Sequence, residues 1–397
     1  MKIIEVTDKN TQRAFLNMVD LIYKDDPNYV RPLDMMIEKV FDPNKNVFFN
    51  HGKCTRWILE EDGLVIGRIA AFINDKKAYT FDQPTGGMGF FECIDDEKVA
   101  FALLDKAKEW LAEHGMKAMD GPINFGENDN FWGCLVEGFS APSIGMPYNP
   151  PYYKGFLEKY GFYMYFEQVT NELDLTKPFP ERFWKIAQWV RKKPGFVYEH
   201  FKFSNAKKYV KDLKTVYDDA WRFHENFVPI DEDDLWASLE EAKAIIEEDF
   251  IWFVYHENKP VAFLVMYPDA NQIFKRFNGK LNLWNKLRFL YYKKTNAISR
   301  SRITIMGVSP KYQRMGLESA IFYELEEVHK KRPYWKNIEL SWVGDFNPKM
   351  RALHEAVGGY FSKRHYTYRC LFGEGLSKNR STVIPTDTKL KDLKNKD

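Results

Sequence analysis

The sequence is short of cysteine, of net charge and of long apolar runs, and each shortage removes a class of protein. Cys54, Cys93, Cys134 and Cys370 are the only cysteines in 397 residues. They lie far apart, with no CxxC pair and no His at metal-ligand spacing, which argues against a disulfide framework and against any metal site. Lys and Arg number 58 against 56 Asp and Glu, a formal net charge of +2. A surface built throughout for nucleic acid would be far more basic, so no DNA partner is expected. No window approaches the roughly 18 uninterrupted apolar residues of a spanning helix, and charges recur through residues 1–26, which leaves no apolar signal core. The expected address is a reducing cytoplasm, with no transmembrane segment.

What is present is the balance of a folded chain, with 45% hydrophobic and 29% charged residues. Aromatics reach 16%, with 32 Phe, 22 Tyr and 11 Trp; such rings fill a core or line an apolar channel. The length corresponds to two or three domains at about 150 residues each. Periodicity predicts a helix over 11–23, strands over 55–60 and 64–73 joined by Glu61-Asp62-Gly63, an apolar run at 88–94, and a helix capped by Asp96 through 114. A short strand follows at 116–119. The same series returns later: helices over 206–223 and 233–248, strands over 250–256 and 260–267, a strand over 302–308, a helix over 316–330, a strand over 337–343 and a helix over 348–357. Each series closes on Asn-Pro, a short helix and a Gly stop, at Asn149–Phe162 and again at Asn347–Gly358. A repeat is therefore expected, divided near 175–180, where Pro178 and Pro180 break regular structure. The domains are then 1–175 and 176–376, with a polar tail at 377–397.

The segment Val308-Ser309-Pro310-Lys311-Tyr312-Gln313-Arg314-Met315-Gly316-Leu317 stands where a strand meets a helix. Unpaired amides at a helix start, with the positive end of the helix dipole, suit phosphate oxygens, and Gly316 lets the backbone approach them closely. This segment resembles the acyl-CoA-binding motif of the GNAT acyltransferase superfamily, Gln/Arg-x-x-Gly-x-Gly/Ala, which falls on Gln313, Gly316 and Glu318. The third position departs from the pattern, and an acidic side chain beside a pyrophosphate is unfavourable unless it points outward. The distal motif of the family, Asn followed by a short helix and Gly, matches Asn347–Gly358, so the resemblance spans 249–368. It implies an α/β (α+β) fold of two GNAT-like domains, each a mixed, mainly antiparallel sheet with helices on both faces. It also implies a donor site at Val308, Gln313, Arg314, Met315, Gly316, Leu317 and Asn347. The first half lacks Gln-Arg-x-x-Gly and has Glu92, Asp95, Asp96 and Glu97 at the corresponding place, so it is read as a degenerate domain without cofactor.

In this family an amine attacks the acyl thioester directly, which requires a base for the amine and an acid for the departing thiolate. Alignment on Asn347 and Gly358 puts His354 at the family's acid position, with Tyr366 and Tyr368 as alternatives. His354 is equally an ordinary residue on an amphipathic helix. Strand alternation puts Glu339 and Ser341 on one face, and a carboxylate in an aromatic cleft suits general-base work; Glu339 as a solvated edge residue is the other reading. The Gly-rich loop 120–133 offers Asn124, Asn128, Asp129 and Trp132 for the acceptor, or is a structural turn cluster.

The insertion 270–302 has nine Lys or Arg and no Asp or Glu, interleaved with large apolar residues. Such a segment can hold an anionic membrane surface, an acidic carrier protein or nucleic acid, or pack as a lid with its cations in water. We expect it to border the donor or acceptor entrance of the second domain and to attract an anionic partner. The resemblance thus implies an acyl-CoA-dependent N-acyltransferase acting on a small-molecule primary amine, with acetyl-CoA or another acyl-CoA as co-substrate and no metal. The alternatives are a non-catalytic GNAT-fold scaffold, or a transferase using an acyl carrier protein, a long-chain acyl donor or an aminoacyl-tRNA.

Overall fold

A computed structural model describes residues 1–222, 227, 229–373 and 375–384. Phe223, the last position of one expected helix, and residues 385–397 of the expected tail lie outside them. The strands in chain order are β1 (Lys2–Glu5), β2 (Gly52–Glu61), β3 (Leu64–Asn74), β4 (Thr85–Cys93), β5 (Ala118–Gly121), β6 (Cys134–Glu137) and β7 (Tyr163–Asp174). They continue with β8 (Phe196–His200), β9 (Ile251–His256), β10 (Lys259–Pro268), β11 (Arg300–Val308), β12 (Asn337–Glu339), β13 (Val343–Gly344) and β14 (Tyr360–Leu371).

Two compact units divide the described residues: Met1–Val169 with Asn271–Tyr292 and Lys363–Ser381, and Thr170–Ala270 with Lys293–Ser362 and 382–384. In the first, β1, β2, β3 and β4 are successively antiparallel and β4 is parallel to β5. The turn between β2 and β3 is tight because Asp62 and Gly63 both take positive φ, 51° and 80°. Alternation along the strands builds two cores. Leu59, Ile69, Ala71 and Ile73 face the helix Glu97–Glu113, while Ile58, Ala70 and Phe72 face the opposite side.

The second unit repeats the scheme. The strands β8, β9, β10 and β11 are antiparallel neighbours and β11 is parallel to β12. Trp252, Val254 and Leu264 face the helices Glu181–Arg191 and Leu317–Lys330, while Phe253, Tyr255, Phe263 and Val265 face Ala206–Trp221 and Glu232–Ala242. Strands buried on both faces read as continuous apolar runs, which is why the hairpins were legible.

Three expectations change. The division near 175–180 does not separate the sheets. Beside β5 lies β14, with Arg369 opposite Asp120, and beside β12 lies the end of β7, with Leu173 opposite Ile338. Each unit thus takes the strand that follows the other series' short helix, because β5 and β12 are only four and three residues long and need a partner for their backbone groups. Most of the insertion, Asn271–Tyr292, belongs to the first unit, not the second. Asp34 N donates to Gly279 O at 2.7 Å, Asn271 Nδ2 donates to Pro142 O at 3.1 Å, and Phe274, Phe277 and Phe289 are buried. The expected strand 337–343 stops at Glu339, so no continuous alternation relates Glu339 to Ser341.

Candidate functional site

The second unit's parallel pair comes apart. Register runs from Arg300 opposite Asn337 to Arg302 opposite Glu339. There β12 ends, while β11 continues to Val308. Leu340 N turns instead to Asn171 O, at 2.9 Å. From Ile303 onward the β11 edge that faced β12 therefore has no strand beside it among the described residues. At the same level β11 carries an extra residue: Val265 pairs with Ile305 and Met266 with Ile303, so Thr304 bulges from the ladder. A bulge re-aims backbone groups out of regular pairing.

Glu339 stands at the vertex of this opening. It is fully buried, and Arg302 Nε lies 3.5 Å from its Oε1. A second, partly buried pair adjoins, with Arg300 Nε and Nη2 donating to Asp269 Oδ2 at 2.9 and 2.7 Å. Two paired arginines inside a strand satisfy charges that burial would otherwise penalise heavily.

At the other end of β11 the chain forms one 3-10 turn, Pro310–Tyr312. The Tyr312 hydroxyl hydrogen-bonds with His256 Nδ1 at 3.2 Å, and Gln313 Nε2 donates back to Val308 O at 3.2 Å. Arg314 and Gly316 both have positive φ, 68° and 79°. Gly316 then starts the helix Leu317–Lys330 with no side-chain cap, so the amides of Gly316 and Leu317 are available to an anion. A Cβ on Gly316 would sit 3.0 Å from Val190 Cγ2 in a strained backbone, so glycine is required twice over. Glu318 is half-buried; burial raises its carboxyl above the usual carboxylate range, opposed by a hydrogen bond to its own amide.

The first unit's counterpart is filled. The helix Glu97–Glu113 is capped by Asp96, whose carboxylate accepts from Lys98 N at 2.8 Å. A carboxylate already occupies the place an anion would take. Pairing of β4 with β5 ends at Gly87 opposite Asp120, but Ile123 N then bonds Met88 O at 2.8 Å and closes the gap. Glu92 is not a surface repellent: it is buried, accepts from the hydroxyls of Tyr23 and Tyr153 at 2.7 and 2.8 Å, and faces Arg68.

The residues expected to hold the donor, Val308, Gln313, Arg314, Met315, Gly316 and Leu317, come together between β11 and the helix Leu317–Lys330. Asn347 instead caps the helix Pro348–Ala356, accepting from Met350 N at 3.2 Å. Its counterpart Asn149 brackets Leu135, bonding its N at 2.6 Å and its O at 3.1 Å, so the repeated Asn-Pro does two different jobs. His354 is buried, its Nδ1 has no partner, and burial pushes its pKa down to about 4. It is neutral at pH 7, which removes it as a cationic proton donor. Tyr366 falls in the first unit, half-buried with Lys154 Nζ 5.8 Å from its ring centre. Burial raises the pKa of Tyr368, helped by Glu158, to which its hydroxyl donates at 3.0 Å.

Asn124, Asn128, Asp129 and Trp132 also lie in the first unit. Trp132 Nε1 donates to Thr367 Oγ1, which donates to Gln168 Oε1, at 3.1 and 3.0 Å; Asn128 and Asp129 are exposed. Burial raises all four cysteine thiols, Cys54 and Cys134 to about 12, so none is an activated nucleophile. Sequence reasoning missed Arg302, Thr304 and His256. Two arginines entering an otherwise apolar strand were the signal for the first; a bulge leaves no sequence mark here.

Residues 213–359 match the acetyltransferase (GNAT) family. The chain is 27% identical over 372 residues to Protein YghO of Escherichia coli (strain K12), covering 91% of this chain and 93% of that protein. It is 26% identical over 380 residues to a protein named bacterial ceramide synthase from Caulobacter vibrioides, covering 93% and 97%. Its fold is similar to a tandem GNAT protein from the clavulanic acid biosynthesis pathway, with a TM-score of 0.58 at 11% identity over 94% of this chain and 99% of that one. These comparisons show a GNAT-family match over residues 213–359, in a chain whose fold is similar to that of a tandem GNAT protein.

Proposed function

We propose that the protein transfers an acyl group from an acyl-CoA to a primary amine, and that the second unit alone holds the donor. The observation carrying this reading is the opening between β11 and β12, which runs from the Arg302–Glu339 vertex to an uncapped helix at Gly316. From Thr304 to Val308 is about 13 Å at 3.3 Å per residue, a span suited to a donor anchored by its phosphates at one end and reacting at the other. The residues fit that group: amides at 316–317 receive the pyrophosphate, Arg314 adds positive charge, and the backbone at the Thr304 bulge polarises the thioester carbonyl.

The amine nitrogen attacks the thioester carbon, so a C–N bond forms as the C–S bond breaks. Glu339 takes the proton leaving nitrogen, and the departing sulfur is protonated from solvent. Acetyl-CoA is the default donor. A longer chain is the second reading, because a relative matched over 93% of this chain is named a bacterial ceramide synthase, and a ceramide is the amide of a long-chain amine.

The test is a transfer assay with acyl-CoAs of increasing length and a panel of primary amines, following amide and free thiol together. Wild-type protein should release the two in equal amounts. Glu339→Gln should lower kcat by roughly 10²-fold with KM little changed, since general-base contributions run to about 10²–10⁴. Thiol release without amide for every donor and amine would contradict N-acyl transfer. Full activity of Glu339→Gln across the pH range would assign the base elsewhere.

A further inference from the structure

The helix Leu283–Lys294 shows its apolar side chains to water. Leu283, Trp284, Leu287, Leu290 and Tyr291 are 75, 68, 52, 57 and 64% exposed. At 3.6 residues per turn they fall within an arc of about 120°. They are not what holds the helix down. The opposite side does that: Phe289 is buried with its ring centre 5.6 Å from that of Phe274, and Asn285 Nδ2 donates to Lys280 O at 2.8 Å. Lys286 and Arg288 lie on the two flanks of the apolar arc, and Lys294 stands near its C-terminal end. The whole segment 270–302 contains no Asp or Glu.

We propose that this face is a docking surface for an anionic phospholipid bilayer. Its helix has twelve residues, too few to span a membrane, so it would lie in the plane of the headgroups with its apolar arc in the acyl boundary. The charge pattern selects the occupant. Lys286 on one flank and Lys294 near the C-terminal end reach the level of lipid phosphates while their stems cover apolar surface, whereas Arg288 on the other flank donates to Asn285 Oδ1 at 3.1 Å. Trp284 and Tyr291 have the amphipathic rings favoured at that depth. A single projecting helix stripe, rather than a groove, matches a fluid surface better than a shaped protein partner. The apolar side chains of this surface lie in the first unit, and the segment expected to border the donor entrance of the second acquires a separate task.

The test is co-sedimentation of the full chain with vesicles of phosphatidylcholine alone or mixed with phosphatidylglycerol, at low and high salt. Wild-type protein should partition onto the anionic vesicles about tenfold better than onto the neutral ones, and salt should reduce the difference. Leu287→Glu with Leu290→Glu should lower that partition by at least about tenfold while circular dichroism and the unfolding midpoint stay unchanged, because both side chains are already exposed. Lys286→Glu with Lys294→Glu should remove the preference for anionic lipid. Absence of wild-type protein from the anionic pellet overturns the proposal, as does undiminished binding of the Leu287/Leu290 variant. So does a self-association, or binding of an acidic carrier protein, that this variant abolishes without any vesicle binding. No readout depends on catalysis, so failure here leaves the donor site untouched.

Discussion

His354 is a case where type and spacing pointed one way and burial another. A histidine at the family's acid position reads as a donor until its surroundings are known. Burial of an uncompensated imidazole lowers its folded pKa to about 4 from 6.5, so the unfolded chain binds more protons between those values. Stability therefore rises with pH through that window and is level above it. The full difference is roughly 3 kcal/mol at about 1.4 kcal/mol per pKa unit. Urea unfolding of the wild type at pH 7 and pH 5 should show much of that loss, and His354→Phe should flatten it; an unchanged slope would mean that His354 is protonated in the fold. Glu318 makes the opposite prediction for ligand binding. Its raised carboxyl pKa means that it gains a proton earlier than an ordinary carboxylate as pH falls, which removes a negative charge from the helix start. Glu318→Gln should tighten CoA binding by roughly fivefold near neutral pH, the worth of one charge at a helix end, and weaken the dependence on pH. Calorimetry on both proteins across pH 5–8 checks it, and equal affinities would place the carboxylate out of reach of the phosphates.

Among the elements, those with enough residues to show a period were legible. Both hairpins, the helix after Asp96 and the helix after Gly316 could be drawn from apolar runs, helical periodicity, caps and turn residues, because these are local signals. The loop proposed to hold the pyrophosphate was legible for the same reason: Gln313 to Leu317 are neighbours in sequence, and only glycine suits the left-handed position 316. The short strands were another matter. With three or four residues, β5 and β12 carry no period of their own, so the register setting Arg302 opposite Glu339 came only from the sheet. The partner strands of β5 and β12 were hidden too, since each follows a helix of the other series and nothing local says where it will pair. The insertion was recognised as basic and aromatic, but which of its aromatics pack and which face water was decided by Phe274, Phe277 and Phe289 seating on the first unit.

At the scale of the whole molecule, the exchange of strands means that neither half of the sequence is a self-sufficient folding unit. A chain beginning at Thr176 keeps every residue proposed for the donor site yet loses Thr170–Asp174 beside β12, exposing that strand's backbone groups. It should show no cooperative urea transition and no near-ultraviolet dichroism, whereas the full chain shows both; a cooperative transition in the shortened chain would mean that β7 is dispensable to the second unit. Loss of donor binding in such a fragment would say nothing about the site, so the decisive experiment keeps the chain whole. It is calorimetric titration of wild type and Gly316→Val with acetyl-CoA, with circular dichroism to confirm that both are folded. One CoA should bind per wild-type chain, the first unit's helix being capped by Asp96, and the folded variant should bind none, since a branched side chain at a left-handed position moves the amides that hold the pyrophosphate. Undiminished binding by folded Gly316→Val, or two molecules bound per wild-type chain, would contradict a single donor site on the loop between β11 and the helix Leu317–Lys330.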